Sequence, residues 1–338
     1  MLILLWGLPE EGPLAAVAGA LREAGAAFVL LDQRRVLKTR VSVTVGEQVT
    51  GSVSLDRWQV DLENVGAAYV RPYDSRLLAG VRAARNAAVA AARAVAVDDI
   101  LLNWCDITPA MVVNRPCHMA SNGCKPYQAQ LIGQFGFRVP RTLITTTPRA
   151  VQEFCQQQEG VIYKSISGVR SRVTRLTPAH TDRLHHISCC PTQFQEFLPG
   201  RDFRVHVVGS DVFACELECE ADDYRYPGDH SLEIRSATLP VEVEERCLRL
   251  AQSMGLLVAG IDLRRMPSGE WCCFEVNPSP AFTFYQESTG QPIASAIAGL
   301  LISGTSAWEP GWQAPRIERE PIPLALEQSL VPPSIWEE

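Results

Sequence analysis

The sequence predicts an α/β chain in which a small N-terminal α/β domain is followed by a larger body of short strands and separate helices. Three observations carry this expectation. The first 31 residues read strand, Ala-rich helix, strand; the middle of the chain alternates strands with isolated helices; and a late hairpin, Gly260 to Asn277, gathers acids and an amide on one face. With 338 residues, 46% hydrophobic and 20% charged, the chain can bury a sizeable core and divide into two or three domains.

In the opening unit, residues 2 to 7 are a strand, 13 to 24 a helix and Ala27 to Leu31 a second strand. The intervening loop, Gly7-Leu8-Pro9-Glu10-Glu11-Gly12, holds two acids and no GxGxxG, so a dinucleotide pyrophosphate is excluded there. Val41 to Val45 and Gln48 to Val53 form a hairpin, Ala67 to Tyr73 a further strand, and Ser75 to Val97 one long helix. Residues 1–105 are thus one domain. From Asp106 the texture changes, with a helix over Lys125 to Phe135 that Gly136 stops, a strand over Arg141 to Thr145 and a helix over Pro148 to Gln158.

The next strand, from Val161, carries Lys164 within an apolar run and enters the small-residue loop Ser165 to Arg172. Such a loop can cover phosphates with amides and hydroxyls, among them Ser167, while Arg170 or Arg172 adds charge. Only Lys38, Lys125 and Lys164 of the 31 basic residues are lysines, and a compact ammonium on a flexible stem suits a phosphate. Thr192 to Leu198 is a strand ended by Pro199-Gly200. In the strand that follows, Asp202, Arg204 and His206 share one face and Phe203, Val205 and Val207 the other. His206 reads as a hydrogen-bonded core residue, and His185 to Cys190 lacks the spacing of a zinc site. A helix spans Val241 to Met254.

The hairpin turns between Ser268 and Gly269, which sets Asp262 opposite Glu275 and puts Asn277 on the same face with no basic partner beside them. Ile261, Leu263, Phe274 and Val276 then point into a core. Opposed carboxylates in a ladder are destabilising, so a divalent cation between them is the better explanation, and oxygen ligands with an amide suit Mg2+. The alternative is an exposed hairpin whose acids are solvated or paired with Arg264. A loop, Pro278 to Phe282, a helix, Pro292 to Leu301, and a Pro/Trp-rich tail, 306–338, complete the chain.

Composition bounds the function. A net charge of -7 argues against a general nucleic-acid binder, the N-terminal apolar run is too short to span a membrane and lacks a basic leader, and eleven cysteines without a regular framework fit reduced thiols in the cytoplasm.

In this order, a helix lysine, a strand lysine with a small loop, Gln195-Glu196-Phe197-Leu198, Asp202, Asp262 and Glu275-Val276-Asn277, the chain resembles the ATP-grasp superfamily over roughly residues 110 to 303. The resemblance implies an α+β ATP-grasp fold with ATP held between antiparallel sheets, a central lid subdomain over 106–190 and a C-terminal subdomain with the metal site over 191–305. It implies that Lys125 and Lys164 contact ATP phosphates, that Gln195, Glu196, Phe197 and Leu198 are the hinge that reads adenine through its backbone, that Asp202 takes the ribose hydroxyls, and that Asp262, Glu275 and Asn277 ligate magnesium. Asp223-Tyr224-Arg225, Glu275-Val276-Asn277-Pro278 and Thr289 to Ala294 are similar to stretches of the graspetide peptide ligases, with the ribosomal-protein glutamate ligases next. Ser279-Pro280-Ala281-Phe282 departs from the Gly-Gln-Trp type segment usual there, and the strand-lysine loop is poorer in glycine.

The activity implied is ATP-dependent ligation of a carboxylate to an amine or hydroxyl through an acyl phosphate, with a peptide, protein or small amino acid as substrate and a homo-oligomer as the usual assembly. Arg204 and Arg225 are the candidates for orienting the acyl phosphate or acceptor carboxylate, against structural pairing with Asp202, Asp222 or Asp223. A small-molecule ligase or kinase and a nucleotide-binding regulator are the other readings.

Overall fold

A computed structural model describes residues 1–166, 173–219 and 231–304 of the chain. In chain order the elements are β1 (Leu2–Gly7), α1 (Gly12–Glu23), β2 (Phe28–Asp32), β3 (Arg40–Val45), β4 (Val49–Leu55), β5 (Trp58–Asp61), β6 (Val65–Arg71), α2 (Ala79–Arg82), α3 (Ala87–Ile107), β7 (Met111–Val113), α4 (Pro116–Met119) and α5 (Lys125–Gly133). They continue with β8 (Thr142–Thr145), α6 (Pro148–Gln156), β9 (Val161–Ser165), β10 (Thr174–Arg175), β11 (Thr192–Glu196), β12 (Arg201–Val208), β13 (Asp211–Cys219), β14 (Leu232–Ala237), α7 (Val241–Ser253), β15 (Val258–Arg265), β16 (Trp271–Asn277), α8 (Thr283–Thr289) and α9 (Ile293–Ser303).

The first sheet is parallel, in the order β2-β1-β6-β7. Its strands are covered on both faces, which is why β1 reads as an unbroken apolar run. Leu4 and Trp6 pack with Ala94, Leu101 and Trp104 of α3, while Ile3 and Leu5 pack with Leu14 and Val17 of α1 and Ile297 and Leu301 of α9. In the loop after β1, the Glu11 carboxylate accepts from the Leu14 N–H at the start of α1 and pairs with Arg71 at 2.6 Å. An acid therefore holds the place at which a dinucleotide fold would receive a pyrophosphate.

The expected helix from Ser75 to Val97 does not form as one piece. Ser75–Leu77 is a 3-10 turn, α2 follows, and α3 begins only at Ala87 and runs to Ile107. The cause is local: Asp74 accepts from the Arg76 N–H and Asn86 from the Val89 N–H, and these side-chain bonds restart the helix where propensity alone would have continued it. The small hairpin gains a third strand, giving the antiparallel order β3-β4-β5, and its Val53 and Leu55 join the core of the first sheet.

Two antiparallel sheets follow, β10-β9-β11-β8 and β14-β13-β12-β15-β16. The second buries Phe203, Val205, Val207, Ile261, Leu263 and Val276 against Val243, Cys247 and Leu250 of α7 and Leu131 and Ile132 of α5. The strands β7, β10 and β14 and helices α4 and α8 have no counterpart in the sequence reading; all are short or lack a clear period. The tail over 306–338 lies outside the described residues.

One side chain joins the first sheet to the last. Asn114, 3% exposed, donates to the carbonyls of Val258 and Pro278, at 2.6 Å each, and accepts from the amides of Leu257 and Val258 at 2.8 and 3.1 Å. All its hydrogen-bonding capacity is used, and it fixes both the entry to β15 and the exit from β16. Asn114→Ala leaves several buried backbone groups unpaired and is expected to cost about 3 kcal/mol, seen as a lower urea midpoint; an unchanged midpoint would refute this role.

Candidate functional site

The strand pair β15–β16 has the register its sequence implies at one end: Asp262 lies opposite Glu275, and Gly260 opposite Asn277. Beyond Asp262 the ladder slips by one residue, so that Leu263 faces Cys273 and Phe274 is the extra residue of a β-bulge. The inward position expected for Phe274 is thereby corrected. Cys273 takes the core place beside Leu263 and Val276, and Phe274 lines the cleft with Glu275.

The expectation that no base shares the acids' face is also corrected, because the bases come from elsewhere in the fold. Arg204, directly opposite Asp262 on β12, donates to its Oδ1 at 2.6 Å, and Lys125 Nζ lies 2.6 Å from Glu275 Oε1. Arg264 pairs with neither acid. It binds Asp202 with two nitrogens, both at 2.7 Å.

Lys125 is placed by its own helix. Gln128, one turn on and on the same face, donates to the Val276 carbonyl at 2.8 Å and accepts from the Val276 N–H at 3.1 Å, as a neighbouring strand would. The first residue of α5 is thus carried to Glu275. Burial alone would push the Glu275 carboxyl up; Lys125 first, then Lys164 and Arg204, outweigh this and hold it below the usual range. Arg204 is nearly buried between the Asp262 carboxylate and His206, to whose Nε2 its Nε donates at 3.4 Å, with the Tyr285 ring centre 5.6 Å away. Burial and then the Arg204 charge push His206 well below the ordinary histidine range, so it is a neutral acceptor there. Gly260 makes room for this guanidinium, since a Cβ would collide with it and come within 2.8 Å of Pro280.

A cleft runs between the two antiparallel sheets and is lined by Lys164, Gln195, Glu196, Phe197, Leu198, Asp202, Asp262, Arg264, Phe274 and Glu275. At its hinge the Glu196 and Phe197 N–H groups donate to the carbonyls of Arg141 and Gly160, and the Leu198 carbonyl accepts from Arg264 at 2.7 Å. Gln195 donates to Thr142, and Arg138 holds the Glu196 carboxylate at 2.9 Å. The Leu198 N–H is left without a hydrogen-bond partner among the described residues.

Thus Lys164, Gln195 to Leu198, Asp202, Asp262 and Glu275 line one cleft, Lys125 lines the adjoining one and reaches Glu275, Arg204 is buried against Asp262, and Asn277 lies on the same ladder, where its Oδ1 accepts from the Ser279 N–H. Ser167, Arg170, Arg172 and the stretch Asp222 to Arg225 lie outside the described residues. Among the described residues no group of three or more His, Cys, Asp or Glu forms, so a cation here would take two carboxylates and an amide and complete its shell with water and substrate oxygens. The donors present fit a hard divalent ion. Arg264, Phe274, Arg138 and Gln128 were missed by sequence reasoning; Gln128, three residues beyond Lys125, carried the one usable signal.

Residues 124–301 match the RimK-like ATP-grasp domain. The chain belongs to that family. This ATP-grasp chain is 25% identical over 242 residues to the human N-acetylaspartylglutamate synthase A, covering 65% of the chain and 61% of that protein, and 27% identical over 155 residues to a Danio rerio beta-citrylglutamate synthase B, covering 42% of the chain and 37% of that protein. It therefore spans less than two thirds of the length of either. The macrocyclase MdnC of Microcystis aeruginosa MRC, bound with precursor peptide MdnA, shares its fold at a TM-score of 0.77 and 22% identity, over 90% of this chain and 100% of that one. The ATP-grasp ligase PsnB, complexed with a phosphomimetic variant of a minimal precursor, Mg and ADP, has a TM-score of 0.73 and 26% identity, over 89% of this chain and 98% of that one. Among the described residues of the ATP-grasp chain, no helix is long and apolar enough to cross a membrane.

The Lys125–Glu275 pair makes an acid-stability prediction. A carboxylate held below its unfolded pKa contributes stability at neutral pH that is lost as pH falls through the folded value. In Lys125→Met the largest opposing charge is gone and burial pushes Glu275 upward, so this contribution shrinks: the variant is less stable at neutral pH and loses less stability on acidification than the wild type. Urea midpoints from neutral down to about pH 4 read this out; parallel curves for the two proteins would contradict it.

Proposed function

We propose that the protein is an ATP-dependent, ADP-forming ligase that joins a carboxylate to an amine or hydroxyl through an acyl phosphate, with a peptide or protein as substrate. The observation that carries this reading is the meeting, in one cleft between two antiparallel sheets, of Lys164 with the opposed carboxylates Asp262 and Glu275, the second of them gripped by Lys125. Family membership and the precursor peptides named with MdnC and PsnB support it.

In this reading the Leu198 N–H donates to the adenine ring and Asp202 accepts from the ribose. Lys164 and Lys125 hold the phosphate oxygens, and the Ser167 hydroxyl is assigned to them as well. Magnesium on Asp262, Glu275 and Asn277, when bound, supplies neutralisation of charge on the phosphate oxygens. A substrate carboxylate oxygen forms a bond to the γ-phosphorus as the bond to ADP breaks. The amine or hydroxyl then attacks the acyl carbon, gives up its proton, and releases phosphate. Arg204, oriented by Asp262 and His206, is the donor positioned for the acyl phosphate, and Arg225 is the second arginine assigned to the acceptor side.

The test is the intact mass of short peptides encoded beside the gene, incubated with protein, ATP and magnesium. Loss of water would mean intramolecular ester or amide formation, and a gained residue mass would mean chain extension. Lys164→Ala and Asp262→Ala are each expected to lower the rate by about 100-fold or more. ATP consumed only with free amino acids would move the substrate to small molecules; a phosphorylated product would mean a kinase; no ATP turnover at all would leave a nucleotide-binding regulator.

A further inference from the structure

Arg264 lines the cleft and has no part in the proposed chemistry. It stands directly opposite Asp202 in the β12–β15 ladder. Its Nε and one terminal nitrogen reach the two Asp202 oxygens at 2.7 Å each, its other terminal nitrogen donates to the Leu198 carbonyl at 2.7 Å, and its guanidinium lies 5.2 Å from the centre of the Phe274 ring.

Three features of the chain converge to build this arrangement. The ladder register sets Arg264 beside Asp202. The β-bulge turns Phe274 to the cleft, where its ring faces the guanidinium. Gly200, at φ +152°, lets the loop after the hinge pass so close to β15 that a Cβ there would collide with the Arg265 carbonyl and come within 2.9 Å of Arg264 Cγ. Arg264 is 17% exposed at its side chain and Asp202 22%, so the pair is largely shielded and its fork geometry is held on both sides.

We infer that Arg264 is a positioning residue for nucleotide binding: by gripping both Asp202 oxygens and the Leu198 carbonyl together, it fixes the carboxylate that accepts from the ribose relative to the hinge that faces the base. This rests on the reading of Asp202 as the ribose partner. A bidentate guanidinium uses one acceptor direction of each carboxylate oxygen, and a carboxylate oxygen can accept in two directions. The carboxylate is thus oriented before the nucleotide arrives, so the ribose contact is made without first ordering a side chain. Arg264 touches neither phosphate nor the reacting carbonyl in this assignment, and the chemical step is left to other residues.

The experiment compares ATP with 2′-deoxy-ATP and 3′-deoxy-ATP, reading kcat and KM for ADP release and, independently, Kd from nucleotide titration monitored by tryptophan fluorescence. The wild type is expected to favour ATP over at least one deoxy analogue by about tenfold or more in kcat/KM and Kd, as befits a hydrogen bond to a charged group. In Arg264→Met this preference should fall to within about threefold, through weaker binding of ATP itself, while kcat at saturating ATP stays within about threefold of the wild type. Arg264→Lys, which keeps the charge and loses the fork, should show the same loss and serves if the Met variant does not fold.

A merely structural arginine would weaken ATP and its deoxy analogues equally, leaving the ratio at its wild-type value. That result in both Arg264 variants, with the ratio abolished in Asp202→Asn, overturns the role of Arg264 and leaves the ribose reading intact. A ratio near one in the wild type, or one unmoved by Asp202→Asn, overturns the ribose reading and the inference with it.

Discussion

Two carboxylates fixed opposite each other across a β-ladder are the constraint on which the rest of this site depends. The two carboxylates face each other, and burial by itself would push the Glu275 carboxyl up. The fold answers by bringing a base to each from a different direction: Arg204 from the adjoining strand, and Lys125 from the first turn of α5. Each base is itself anchored, Arg204 by a neutral His206 and Lys125 through Gln128 on β16. Each acid is thereby met by a cationic group, and the Lys125 charge holds the Glu275 carboxyl below its usual range.

This arrangement also explains why the site is spread over so many elements. The acids need a rigid ladder, the strand lysine needs a second sheet facing the first, and the helix lysine needs an α-helix laid along the edge of β16. Asn114 ties the end of the first parallel sheet to both sides of that ladder, so the N-terminal unit shares its framework with the site.

Much of this was legible in the sequence because it is local. Alternation along β12 separates Arg204 and His206 from Phe203, Val205 and Val207, and Gly136, at φ +77°, closes the turn that follows α5; the expected Asp262–Glu275 pairing holds although the turn centres on Ser268 itself, because the Phe274 bulge shifts the register by one. What was not legible needed contacts between distant segments. Nothing near Arg264 or Arg204 says which strand lies beside it, so the pairs Arg264–Asp202 and Arg204–Asp262 could not be read. The Phe274 bulge was hidden for another reason: a single extra residue leaves both flanking stretches apolar and alternating, and only the core position of Cys273 betrays the change of phase. The long helix expected from Ser75 failed because Asp74 and Asn86 bind the backbone locally and override the helix preference of the alanines around them.

The outer side of β16 has a consequence for how the molecule behaves in crowded solution. β16 ends its sheet, and an end strand with free amides and carbonyls invites another chain to add to it. Here that margin is covered near both of its ends. The Trp271 carbonyl and the Cys273 amide are taken by the backbone of Arg138, and the Val276 amide and carbonyl by the side chain of Gln128. The contacts that deliver a lysine to the acids are the same ones that seal the sheet against accretion, so a substitution that loosens α5 would expose a sticky seam as well as weaken a site.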